Sequence, residues 1–169
     1  MAVLEAGRLQ QLGTPETLYA EPANPFVADF LGRANWLAAT VEAVSDGRAR
    51  CRLHAGPRWQ ARLPEGESTY EPGDQVRVMV RPELLRLEAT QSADGDGALT
   101  GRIVDRRFAG ASWFYRVALK DDTVVTVQGG SSDALSEAEV GVGLRDGVLP
   151  IVFASDAGIA RERSGAATG

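Results

Sequence analysis

The hydrophobic period of this chain changes at Asn35, and that change constrains the fold more than any other feature. Before it, two short segments carry the same helix-starting device. Thr14 precedes Pro15 and Asn24 precedes Pro25. A Thr or Asn side chain accepts from a free N–H of the first helical turn, and proline at the first helical position has no N–H to lose. After Asn24, Phe26, Val27, Phe30 and Leu31 fall on one helical face, with Gly32 as the stop.

From Asn35 the period is two. Leu37, Ala39, Val41 and Ala43 alternate with more polar neighbours up to a turn at Asp46-Gly47. Ala49, Cys51 and Leu53 then alternate with arginines. Trp59, Ala61 and Leu63 follow after Gly56-Pro57, and Val76, Val78 and Val80 after Pro72-Gly73-Asp74. Pro82 ends that run, because proline cannot donate to a strand ladder. Leu84–Leu87, Leu99–Phe108, Trp113–Leu119, Thr123–Gln128 and Val148–Ala154 read as further strands, and Ser132–Val140 as a short helical turn. Pro150 falls inside the last strand, which places that strand at an edge. Many short strands with regular turns predict a mainly β barrel or sandwich preceded by two short helices.

Composition excludes several classes. No stretch of the 169 residues approaches a membrane-spanning length. One cysteine cannot form an internal disulfide framework, which fits a reducing compartment. Cys51 and His54 would point to opposite strand faces and so do not pair as a catalytic or metal site. A net charge of −5 gives no general reason to expect nucleic acid. No GxxxxGK[ST] loop is present, so the chain has no P-loop to hold ATP. Catalytic, cofactor-binding and metal-binding residues are all expected to be absent.

Two groups of residues stand out. Arg48, Arg50, Arg52, Arg58 and Arg62 lie opposite the apolar positions of two neighbouring strands, with no acid between Arg48 and Arg62. Such a stripe is a solvated surface, a docking face for an acidic partner, or a single-strand nucleic-acid groove. The last reading lacks aromatic platforms, since Trp59 points inward. Trp113 and Tyr115 share one strand face and Phe114 and Arg116 the other, as in a central strand or a subunit contact.

The stretch Gly7–Leu31, GRLQQLGTPETLYAEPANPFVADFL, resembles the exit segment that follows the nucleotide-binding domain in ATP-binding subunits of bacterial ABC importers. A second stretch, VRPELLRLE and then LTGRIVDRRFAGASWFYRVALKDDTVVTV, resembles the transport-associated OB (TOBE) module of the same subunits. It carries Arg81-Pro82-Glu83 as a motif at a strand end, Gly101-Arg102-Ile103, Phe108-Ala109-Gly110 and Tyr115–Leu119. The two matches span residues 7–155.

The resemblance implies an OB-like (TOBE/MOP-like) β-barrel at 35–155, an exit segment of one strand and two helices at 1–34, and a flexible tail at 156–169. Arg81, Pro82 and Glu83 would be structural. The chain would be a C-terminal accessory or regulatory domain, not itself an enzyme, of a ferric-, polyamine- or phosphonate-type importer. ATP and Mg would belong to the parent. The implied partners are a second copy, transmembrane permease subunits, and a small-molecule or acidic protein regulator, with no nucleic acid. The implied place is the cytoplasmic face of the cell membrane. A free-standing oxyanion-binding β-barrel is the alternative, and a single-strand nucleic-acid-binding OB-fold the third.

Overall fold

The computed structural model describes residues 1–64, 70–89, 97–130 and 139–155. The proposed tail and most of the proposed helical turn at Ser132–Val140 lie outside the described residues. The chain opens with a hairpin, β1 (Ala2–Glu5) and β2 (Arg8–Leu12), where a single strand is expected. Two helices follow, α1 (Pro15–Ala20) and α2 (Pro25–Leu31). Their starts are the ones the sequence specifies. Thr14 Oγ1 accepts from the Thr17 N–H and Asn24 Oδ1 from the Val27 N–H.

The far end of α2 departs from expectation. Gly32 is extended (φ 164°) and not in the left-handed cap geometry. A Cβ there would lie 3.1 Å from the Tyr19 ring, so glycine is present for close packing of the two helices. On the expected apolar face Val27 is buried, yet Phe30 is 63% exposed.

Five strands close a barrel: β3 (Asn35–Ser45), β4 (Arg48–Leu53), β5 (Arg58–Arg62), β6 (Gln75–Val80) and β12 (Ile151–Ala154). Five others form a second sheet in the order β10-β9-β8-β11-β7: β7 (Leu85–Ala89), β8 (Leu99–Ala109), β9 (Ser112–Leu119), β10 (Val124–Gly129) and β11 (Glu139–Leu144). A five-stranded closed barrel is OB-like architecture. One apolar core runs between barrel and sheet, from Leu37, Val41 and Trp59 to Leu99, Val117 and Val140. Trp59 satisfies its indole N–H on the Gly97 carbonyl at 2.6 Å.

Two strand assignments need correction. Residues 139–144 belong to none of the strands read from the sequence. They form β11, paired on both sides with β7 and β8. Four of its six residues are buried, so polar alternation is missing. The last strand is not an edge either. β12 pairs antiparallel with β6 and parallel with β5, and so closes the barrel. Pro150 lies just before it and only accepts, from the Arg62 N–H at 2.8 Å. The Asp121-Asp122 hairpin settles with Asp122 left-handed (φ 64°) and the Asp121 carboxylate accepting from the Thr123 N–H.

Candidate functional site

The chain passes between barrel and second sheet twice, and both passages lie beside the helices. The first is Arg81 followed by a tight 3-10 turn, Pro82–Leu84. The second is the turn at Arg145–Gly147, tied to the first by Arg145 N–H on Leu84 O (2.9 Å) and Arg145 Nε on Glu83 O (2.9 Å). Proline stops β6, and the chain then turns sharply into β7.

Arg81 is 2% exposed. Its Nη1 donates to the carbonyls of Ala28 (2.8 Å), Gly32 (3.0 Å) and Arg33 (3.2 Å), and its Nη2 to that of Tyr19 (3.3 Å). These carbonyls sit at the ends of α1 and α2, where helices lack internal donors and carry partial negative charge. One guanidinium therefore caps both helices. It also lies 4.2 Å from the centroid of the Tyr19 ring. Burial draws its pKa below the ordinary arginine value.

Glu83 completes the joint by accepting from the Tyr19 hydroxyl at 2.6 Å. Burial, and then this bond, push the Tyr19 phenol from 10.0 up to about 12. A cleft of about 310 Å³ opens here, walled by Tyr19, Arg62, Met79, Arg81, Glu83 and Pro150 among others. The sequence marks Arg81, Pro82 and Glu83 as a motif. It gives no sign of Tyr19 as their partner, because they are 62 and 64 residues apart.

The arginine stripe lies on the outer face of β4 and β5, as the alternation requires. It is not a bare line of charge. Glu42, on neighbouring β3, receives Arg50 at 3.5 Å, Arg52 at 2.6 Å and Arg58 at 3.0 Å. Partial desolvation opposes ionisation of Glu42, but the hydrogen bond from Arg58 and the charges of Arg52 and Arg58 hold it below the usual carboxylate range. Arg62 turns away from the others. Its Nη2 donates to the Ala20 carbonyl at the end of α1 (2.5 Å), and Nη1 lies 3.9 Å from Glu21. Among the described residues, Arg48 alone of the five makes no ion pair. A groove of about 450 Å³ runs past it, lined by Ser45, Asp46, Arg50 and Gln60 among others. Sequence reasoning missed Glu42, although it is the only acid in an otherwise uncharged β3.

Asn35 was also missed. It is 5% exposed, and its amide exchanges two bonds with the Thr126 backbone, at 2.8 and 2.7 Å, fastening the barrel to β10. A polar residue that begins an alternating run is its only sequence signal. Cys51 is fully buried and its thiol is pushed up to about 11 by burial, so it packs as an apolar residue. His54 is exposed at the turn after β4. Among the described residues, no three His, Cys, Asp or Glu side chains could hold a metal together.

The described geometry is that of a structural joint. Comparison with known proteins gives the family. The TOBE domain family matches residues 78–148. The spermidine/putrescine import ATP-binding protein PotA of Pseudomonas fluorescens is 41% identical over 76% of this chain and 33% of its own length. That of Thermobifida fusca is 34% identical over 83% of this chain and 36% of its own. The chain thus spans about a third of the length of these relatives. Among solved structures, the cytoplasmic molybdate-binding protein ModG, with molybdate bound, has a TM-score of 0.60 at 16% identity, over 72% of this chain and 96% of that one. This is a likeness of fold. Residues 78–148 thus carry a TOBE domain, and the chain matches the C-terminal TOBE region of ABC importer ATP-binding subunits.

Proposed function

We propose that this chain is the accessory domain of an importer ATPase, with residues 1–34 as the exit from the catalytic domain and 35–155 as a regulatory β domain. The carrying observation is 41% identity over most of the chain to a polyamine-importer ATP-binding subunit. On this reading the parent couples ATP hydrolysis to polyamine uptake at the inner face of the cell membrane, beside permease subunits. ATP and Mg are held by the parent's other domain, and no residue of this chain is assigned to them.

The joint at Arg81 gives the reading a physical basis. It ties the exit helices to the barrel, so a change in one alters the other. Motion of the catalytic domain reaches the β domain through α1 and α2, and a regulator on the β domain reaches back the same way. The arginine stripe offers an acidic partner Arg48 and the groove beside it. The chain also supports pairing of two parents as a homodimer. Exposed Leu4, Leu9, Leu12 and Phe30 on the N-terminal arm are covered in the intact subunit by the catalytic domain.

Calorimetry on the isolated chain should give no ATP binding, and micromolar binding would overturn the assignment. Sedimentation of the whole chain should show a dimer. If a chain beginning at Gly32 dimerises as well, the β domain carries the contact; if only the whole chain does, the arm carries it.

The ModG-like fold and the groove at Arg48 favour a second reading, an oxyanion-binding barrel. Titration with molybdate, sulfate and phosphate separates the two. Binding that is lost in Arg48→Ala supports the second.

A further inference from the structure

The cleft beside Arg81 has one wall on α1, at Tyr19 and Ala20, and the other on the barrel, at Met79 and Ile151. Apolar side chains from the turn after β6 and from the segment before β12, Leu84 and Leu149 among them, make up most of the rest. Its 310 Å³ is the liquid volume of about ten waters, room for a body of about eight to ten non-hydrogen atoms. Apolar walls with a few placed polar groups are the usual make-up of a small-ligand site.

The polar groups of the cleft carry more positive than negative charge. Two guanidiniums, of Arg62 and Arg81, line it with one carboxylate, of Glu83, which already accepts from the Tyr19 hydroxyl. Arg81 directs both Nη atoms to backbone carbonyls, forms no ion pair among the described residues, and has a buried Nε with no hydrogen-bond partner. Arg62 donates once, from Nη2 to the Ala20 carbonyl, and its nearest carboxylate, the half-exposed Glu21, stands at 3.9 Å, beyond hydrogen-bond distance. The Arg62 side chain is 29% exposed, so a largely covered guanidinium keeps N–H donors open to a ligand.

We propose that this cleft binds a small monocarboxylate with an apolar body, its carboxylate on Arg62 and its chain along Met79 and Ile151. The apolar body matches the walls, and the single negative charge offsets the excess of guanidinium. A carboxylate also suits the planar fork of arginine. An amine of the same size would face two cations, and a neutral amide would leave Arg62 uncompensated. The bound molecule touches α1 and the barrel at once, and so fixes the exit helices relative to the β domain. That regulatory role rests on the accessory function proposed above; the binding does not.

The chain has two methionines, Met1 at the start of the arm and Met79 in the cleft wall. Isotope-labelled methionine methyl groups therefore place one nuclear magnetic resonance reporter in the site and one outside it. Titration of the whole chain with hexanoate should move the Met79 signal and leave that of Met1, with a Kd of millimolar order for a ligand of this size. Hexanamide and hexylamine should bind about tenfold more weakly or worse. Arg62→Gln, its fold verified by circular dichroism, should weaken hexanoate binding by about tenfold or more, and Arg48→Gln should leave it unchanged. No movement of Met79 at tens of millimolar hexanoate, equal binding of hexanamide, or undiminished binding by Arg62→Gln would overturn the site. Loss of binding in Arg48→Gln would overturn it too, in favour of the groove on the arginine stripe. A chain that bound hexanoate and also ATP would overturn the accessory reading and leave the cleft; one that bound neither would overturn the cleft alone.

Discussion

Arg81 joins two helix ends to a barrel with one side chain, and its geometry sets the expected result of changing it. In Arg81→Ala four backbone carbonyls lose their donor. Hydrogen bonds from a charged donor are worth about 1.5–3 kcal/mol each, and the losses overlap at a shared site. A total cost of about 3 kcal/mol is expected in urea unfolding. Arg81→Lys should recover only a part, because an ammonium lacks the planar fork that reaches both helices. A cost below about 1 kcal/mol would show that the helices hold themselves in place. Tyr19 gives a second, pH-dependent expectation. Its phenol keeps its proton more firmly in the folded chain than in the unfolded one. That contribution is fully present below pH 10.0 and is lost as the pH rises toward about 12. Tyr19→Phe should therefore lose less stability than the unaltered chain over that interval. Equal losses would show that the Glu83 bond is not formed in solution. The motif itself was legible in the sequence. Its partners were not, because contacts across 48 to 64 residues leave no local periodicity.

Elements whose residues alternate polar and apolar were legible to within a residue or two, as β4 and β5 show with their arginine faces. The helix starts were legible because capping is written in adjacent residues. β11 was not, because it is buried among neighbours and carries glycines that read as a turn. β12 was misplaced for the opposite reason. Proline reads as an edge signal, but Pro150 sits one residue outside the strand. Glycine in β8 has a packing cause that the sequence shows only as a motif. A Cβ on Gly101 would lie 2.4 Å from the Ala118 carbonyl oxygen and 2.8 Å from Val117 Cγ1, so β8 and β9 could not keep their spacing. Gly101→Ala should destabilise by about 1–3 kcal/mol, read as a fall in the denaturant midpoint. No change would mean that the hairpin shifts freely at this point.

At the scale of the molecule, barrel and second sheet share one core, and the helical arm is fastened where the chain crosses between them. This places the N-terminal arm, with its exposed leucines, beside the junction of barrel and second sheet. The relatives continue for about twice this length again beyond the matched region. On the proposed reading this chain is the appended part of a larger ATPase. The most direct test is the size of the natural polypeptide that carries this domain. An antibody against the β domain should detect in cells a single species well above 18.0 kDa, and peptide sequencing of that species should find a glycine-rich phosphate loop upstream of the exit segment. A sole species near 18.0 kDa, with no such loop, would contradict the account.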